Sequence, residues 1–215
     1  MTPMILVLSS PSGGGKSTIA ARLVVERADC GYSVSATTRN PRPGEVAGEA
    51  YHFLTEAEFD ERVRVGDFAE HAVYNGHQYG TLSSELVRVL HGGRHAILDI
   101  EVHGARQVRA RFPEAVLVFI VPPSGAELAR RLKARGTERP AVVTGRLQQA
   151  IDELGAAAAY DYIVVNDELE QAVQAVGAIL DAESCRTTRQ RDVAVVLDRL
   201  RTEVAAEVLR AAEAR

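Results

Sequence analysis

Apolar residues in this chain fall into short unbroken runs separated by stretches of helical period, and that alternation carries the first structural signal. Met4-Ile-Leu-Val-Leu8 is long enough for one buried strand, and Ile19-Ala-Ala-Arg-Leu-Val-Val-Glu26 then takes up helical spacing. Further strands are expected at Tyr32–Ser35, His95–Ile100, Ala115–Val121 and Tyr160–Val165. Helices are expected at Ser83–Leu90, Gly104–Arg111, Ser124–Ala134, Thr144–Ala158 and Asp167–Ala182. Strands apolar on both faces that alternate with helices imply an α/β fold, a parallel sheet flanked by helices.

One region breaks the alternation. Prolines and glycines between Ala36 and Phe53 forbid a helix there, and the stretch is too long for a simple connection. Thr55-Glu-Ala-Glu58 reads as a capping box opening a helix to about Val65. Phe68–Tyr74 and His77–Gly80 read as a hairpin around Asn75-Gly76. Residues 35–80 are therefore expected to form a small, mostly β insertion. Near the end, Val193, Val196, Leu197, Leu200, Val204 and Val208 recur at helical spacing. This amphipathic tail either packs on the core or joins subunits, so a homo-oligomer through it is one expectation.

Composition narrows the class. At 215 residues, with 46% hydrophobic and 25% charged positions, the chain suits one sizeable soluble core. A formal charge of −4 gives no reason to expect nucleic acid as a partner. Two cysteines, Cys30 and Cys185, make neither a disulfide framework nor a zinc spacing. No apolar run approaches the ~20 residues of a membrane span, and Met1 leads almost directly into the first strand. A cytoplasmic protein without membrane contact is expected.

The chemistry gathers first at Ser10-Pro-Ser12-Gly13-Gly14-Gly15-Lys16-Ser17-Thr18, between the first strand and the first helix. Strand, glycine-rich loop ending in Gly-Lys-Ser, then helix is the setting of a phosphate-binding loop. Glycines let successive N–H groups curl around an anion, and the helix end adds its positive pole. Lys16 would reach the outer phosphates of ATP, and the Ser17 hydroxyl would stand near Mg²⁺. Asp99, closing an apolar strand, suits the same Mg²⁺ shell, although acidic residues often end strands. A second anion site is expected where Arg39 and Arg42 lie in a Pro-Arg-Pro frame with Tyr51 and Tyr79 as hydroxyl donors; a solvated basic loop is the plainer alternative. Arg131, Arg135, Arg139 and Arg146 flank a Gly-Pro break. They read either as an arginine lid over a moving phosphoryl group or as an ordinary charged helix surface.

Ser33-Val-Ser35-Ala-Thr-Thr-Arg39-Asn-Pro-Arg42-Pro-Gly-Glu45, with Gly48 and Tyr51, closely resembles the signature segment of bacterial guanylate kinases. Tyr79-Gly80-Thr81, Leu98-Asp99-Ile100, Arg135-Gly136 and Ile163-Val-Val-Asn166-Asp167 extend the resemblance over about residues 4–190. It implies transfer of the ATP γ-phosphate to GMP or dGMP, with Mg²⁺, in purine nucleotide metabolism. It also implies that Arg39, Arg42, Tyr51 and Tyr79 hold the GMP phosphate, while Ser35, Glu70 and Thr81 read guanine. Asp99 and Glu101 would face GMP, and Asn166 would lie near adenine. Arg131, Arg135 and Arg146 would join Lys16 in catalysis. Glu101 departs from the family's usual Asp, His103 from a common Gln, and Ser10 from the first Gly of the loop.

The parts expected are a nucleotide core (1–34, 83–125 and 157–215), a GMP-binding insertion (35–82) and a lid (126–156). Two rivals would share much of the sequence: a kinase acting on a phosphorylated ribose, and a non-catalytic peptide-binding module. Ser35 with Glu70 speaks against the first, and the retained Lys16 and lid arginines against the second.

Overall fold

A computed structural model of the chain describes residues 2–74, 76–134, 140–190 and 192–213. Two compact units make it up: Pro3–Gly177, and Ala178–Arg215 with Met1–Thr2.

In the larger unit, β1 (Ile5–Ser9) lies at the centre of a five-stranded sheet in the order β2-β7-β1-β8-β9. It pairs with β7 (His95–Asp99) and β8 (Val116–Val121), which pair in turn with β2 (Cys30–Tyr32) and β9 (Tyr162–Val165), all parallel. Helices α1 (Lys16–Glu26), α3 (Ser83–His91), α4 (Val102–Arg111) and α7 (Leu169–Ser184) are interleaved with these strands. Leu6, Val7, Leu8, Ile97 and Val118 are essentially sealed from solvent. Each such side chain contributes about 1.5–3 kcal/mol by its removal from water, so the sheet is the rigid floor on which the loops above it are set.

A second sheet runs β4-β3-β6-β5, built from β3 (Ser35–Thr37), β4 (His52–Phe53), β5 (Phe68–Tyr74) and β6 (His77–Leu82). Helix α2 (Glu56–Arg64) closes it. The helix starts where the sequence says: Thr55 accepts from the Glu58 N–H, and the Glu58 carboxylate accepts from the Thr55 N–H. Phe59 and Phe68 stack with ring centres 4.4 Å apart, pinning α2 to β5. Asn75, at the hairpin tip, is outside the described residues; Gly76 has φ +78°, as a tight turn requires.

The run Tyr32–Ser35, expected as one strand, belongs to two. Cys30–Tyr32 pairs with β7 in the first sheet, and Ser35–Thr37 pairs with β4 and β6 in the second. Long-range pairing overrides local pattern there. Helices α5 (Gly125–Ala134) and α6 (Pro140–Gly155) follow, and α6 begins earlier than its expected start at Thr144 because Pro140 is a good first helical residue.

The smaller unit contains the end of α7 and α8 (Val193–Glu213). Along α8, Val196, Leu197, Leu200, Val204 and Val208 are 40–63% exposed. No helix among the described residues is long and apolar enough to cross a membrane.

Candidate active site

The chain leaves β1 at Ser9 and re-enters helix at Lys16, with a tight turn between in which the Gly14 N–H donates to the Pro11 carbonyl (2.8 Å). Gly15 caps α1 at φ +97°, and a Cβ there would come within 2.2 Å of Asn166 Nδ2. Only glycine meets both demands. The first turn of α1 has neither an acidic residue nor a side-chain cap. Its leading N–H groups therefore face the cleft as an anion site, with the positive end of the helix behind them.

Asp99 ends β7 in register with Leu8 of β1, which puts its carboxylate beside the loop. Lys16 Nζ lies 2.8 Å from Glu101 Oε1 and 3.6 Å from Asp99 Oδ1. Burial alone would lower the Lys16 pKa, but the two carboxylates outweigh it and hold the ammonium charged. Asp99 Oδ1 is buried without a hydrogen-bond partner. Magnesium is commonly held by one or two protein oxygens plus substrate phosphates, and this oxygen, which has a charge contact with Lys16 but no hydrogen bond, fits such a donor set with the exposed Ser17 hydroxyl. Among the described residues no group of three or more His, Cys, Asp or Glu forms a self-sufficient metal cage.

Across the cleft, register sets a polar row. Ser35 of β3 pairs with Thr81 of β6, which pairs with Glu70 of β5. A bulge between Phe68 and Glu70 shifts the pairing by one residue and turns Glu70 inward, where it is 4% exposed. Thr81 Oγ1 donates to Glu70 Oε1 at 2.7 Å. Burial raises the Glu70 carboxyl above its ordinary range, opposed by the hydrogen bonds from Thr81.

Beside this row lies a basic loop. Glu45 Oε1 accepts from Arg39 Nη2 (2.9 Å), and Glu45 Oε2 accepts from the Arg42 N–H (2.7 Å). The Arg39 guanidinium stands 5.3 Å from the centre of the Tyr51 ring, and Tyr51 and Tyr79 meet edge to face. The hydrogen bond that Arg39 donates to Glu45 keeps Arg39 firmly charged, and burial keeps the Tyr51 hydroxyl protonated and able to donate.

The phosphate loop, Ser35 and Glu70 of the polar row, and the basic loop line one cleft of about 840 Å³. Of the residues singled out from sequence, Ser12, Gly13, Gly15, Lys16, Ser17, Thr18, Ser35, Arg39, Arg42, Tyr51, Glu70, Tyr79, Asp99, Glu101 and Arg146 form its wall. Thr81 stands behind Glu70. Asn166 stands behind the phosphate loop, donating from Nδ2 to the Gly14 carbonyl (2.9 Å). Arg131 donates to Glu127 (2.7 Å) and to the Asn166 carbonyl (2.9 Å). Arg135 lies outside the described residues.

Sequence reasoning passed over three residues. Glu45 was legible as part of the basic segment, but its role as the tie between Arg39 and Arg42 was not. Gly104 sits inside α4, where a Cβ would come within 2.3 Å of Glu70 Oε2. A lone glycine in a helix costs about 1 kcal/mol relative to alanine, and that cost is the signal that could have flagged it. Glu153 of α6, also on the cleft wall, gave no signal at all.

Comparison with known proteins gives the family. The guanylate kinase family model matches residues 2–183. The chain belongs to the guanylate kinase family. It is thereby an ATP:GMP phosphotransferase. Guanylate kinase of Clostridium perfringens (strain SM101) is 44% identical over 189 residues, 88% of each chain. That of Desulfitobacterium hafniense (strain Y51) is 44% identical over 187 residues, 87% of this chain and 94% of its own. The crystal structure of guanylate kinase from Anaplasma phagocytophilum aligns with a TM-score of 0.76 at 34% identity, covering 92% of this chain and 94% of the other. Helix α8 lies beyond the segment that the family model matches.

Proposed function

We propose that the two ends of this cleft divide the substrates: ATP phosphates on the loop of residues 10–18, and GMP against Ser35, Arg39, Arg42, Tyr51, Glu70 and Tyr79. The single observation that carries the division is the Ser35–Thr81–Glu70 row, which shares a cleft with Lys16. Guanine presents N1–H and N2–H₂ donors beside an O6 acceptor. The Glu70 carboxylate can accept from both donors, and the Ser35 hydroxyl can donate to O6. Adenine would set its N1 lone pair against that buried carboxylate, and an unpaired polar group of this kind gives strong discrimination. Nothing in the row reads a ribose 2′-OH, so dGMP is expected to react as well.

Arg39 and Arg42 supply guanidinium donors for the GMP phosphate, with the Tyr51 and Tyr79 hydroxyls beside them. Catalysis is then positioning and charge stabilisation without a covalent intermediate. Lys16 and the lid arginines Arg131, Arg135 and Arg146 draw the phosphoryl group's developing negative charge toward themselves. Mg²⁺, held by Ser17 and Asp99 with the ATP phosphates, would supply further charge neutralisation. Asn166 acts from behind the loop, holding Gly14 in place under ATP, in place of or together with a contact to adenine. Residues 35–82 are the GMP-binding part, 126–156 the lid, and the remainder the nucleotide core. A cytoplasmic setting, where both nucleotides abound, suits this chemistry.

The test is ADP release with ATP as donor across GMP, dGMP, AMP and UMP. Turnover confined to GMP and dGMP supports the base-reading row; equal turnover of AMP would rule it out.

A second contact is proposed for α8, with a second copy of this chain as its occupant. Its apolar positions repeat every eleven residues: Val193 and Val204, Leu197 and Val208, Leu200 and Ala211. That period suits helices paired with a right-handed supercoil. Arg199 and Arg201 precede Thr202, while Glu203 and Glu207 follow it. Antiparallel pairing about Thr202 would set Leu200 against Val204 and Arg201 near Glu203, so signs oppose rather than repel. Light scattering should find a dimer that Leu200→Glu reduces to a monomer with kinase activity retained; a monomeric wild-type chain would refute it.

A further inference from the structure

Arg146, Gln149 and Glu153 fall at i, i+3 and i+7 of α6, along one face of the helix, and all three reach the cleft wall. Glu153 is only 9% exposed. Its Oε2 accepts from the backbone N–H of Ser12 in the phosphate loop (3.1 Å), and its Oε1 accepts from Gln149 Nε2 (2.8 Å). A carboxylate is costly to hold in such a place. Burial and the neighbouring charge of Glu101 both act against its ionised form, offset by the Ser12 and Gln149 hydrogen bonds and by Lys16.

The adjacent face of α6 is held differently. Leu147 and Ala150 pack with Leu128 and Leu132 of α5. Those α5 leucines lie directly over the loop, since a Cβ on Gly13 would come within 3.2 Å of Leu132 Cδ2 and 3.4 Å of Leu128 Cδ1. The two helices thus grip adjacent loop residues, α5 by apolar contact at Gly13 and α6 by a charged hydrogen bond at Ser12. Apolar contacts permit sliding, whereas a hydrogen bond to one N–H fixes distance and rotation. Two helical turns upstream on the same face, Arg146 takes its position from that fixed point.

We infer that Glu153 is a positioning residue for phosphoryl transfer: by seizing the Ser12 N–H it sets the rotation of α6 and so where Arg146 stands over the transferred group. This rests on the proposed reading of Arg146 as a lid arginine. Glu153 does not itself touch the reacting atoms in this scheme. Its worth lies in the accuracy with which another side chain is presented, and a displacement of about 1 Å at such a site can cost on the order of 10²-fold in rate.

The experiment is a steady-state kinetic cycle on the full-length enzyme with Glu153→Ala, Glu153→Gln, Arg146→Ala and the Glu153→Ala/Arg146→Ala pair. Glu153→Ala should lower kcat on the order of 10²-fold, with KM for GMP nearly unchanged. Glu153→Gln, whose amide oxygen still accepts from Ser12, should recover most of that loss. In the Arg146→Ala background, Glu153→Ala should cost little more. Should Glu153→Ala fail to fold, Glu153→Met keeps the volume without the acceptor and must give the same coupling. Full kcat in Glu153→Ala, losses that multiply in the pair, or a Gln variant no better than Ala would each overturn the inference. Full kcat in Arg146→Ala would instead overturn the lid-arginine reading, and the inference with it.

Discussion

Thr81 gives its hydroxyl hydrogen to Glu70 Oε1 over 2.7 Å, inside the protein and across the β5–β6 pairing. The bond fixes the carboxylate in one plane, with Oε2 turned toward Gly104. A buried acid so oriented can serve a planar base edge without reorganising when the base arrives, and this preorganisation is what makes such a site selective.

On the proposed reading, Glu70 makes GMP affinity depend on pH. Its carboxyl is raised above the ordinary 4.5 by burial, and the ionised form is the one that accepts from guanine. KM for GMP should climb as pH falls through this raised value, at a pH where an exposed glutamate would still be ionised. Stability runs in the opposite sense. A raised acid favours the folded state below its unfolded pKa, and that contribution is lost as pH rises through the folded value. Glu70→Gln should accordingly abolish the acid limb in KM and gain stability at neutral pH relative to wild type. An unchanged acid limb in Glu70→Gln would assign it elsewhere.

Gly104→Ala should damage GMP recognition more than the fold. The new methyl would need to share space with Glu70 Oε2 at 2.3 Å, while alanine improves helix propensity at that position. Moving the carboxylate should raise KM for GMP by about 10- to 100-fold, equivalent to roughly 1–3 kcal/mol of lost binding, with KM for ATP unaltered. Initial rates over a two-substrate grid separate the two constants.

Leu132→Ala should loosen α5 over the phosphate loop. Leu132 is 1% exposed, and truncation of a buried leucine costs about 2–5 kcal/mol. Urea denaturation should find that loss, and KM for ATP should rise with it, because the same side chain covers Gly13. A large loss of stability with unaltered KM for ATP would mean that the contact serves folding alone.

Much of this was legible in the residues themselves. Five apolar residues, a glycine loop and a helical period define the β1–loop–α1 unit locally, so Lys16 could be assigned from sequence. The capping box at Thr55 and Glu58 is equally local. What escaped depends on contacts distant in the chain. Ser33 and Val34 look like the middle of a strand, yet they bridge two sheets because β2 pairs with β7 while β3 pairs with β6. The bulge that turns Glu70 inward exists only against β6. Glu153 sits in a helix of ordinary polar pattern, and the N–H it accepts from belongs to Ser12, 141 residues away in sequence.

Isothermal titration of the Lys16→Ala enzyme with GMP, then with a non-hydrolysable ATP analogue, tests the division of the cleft most directly. If Lys16 serves the ATP phosphates as proposed, GMP should bind at one per chain with nearly wild-type affinity while the analogue binds weakly and turnover vanishes. In the wild-type enzyme both should bind together, one of each. If GMP and the analogue instead compete for a single site, or if GMP binding disappears with Lys16, two separate phosphate cradles do not exist in this protein.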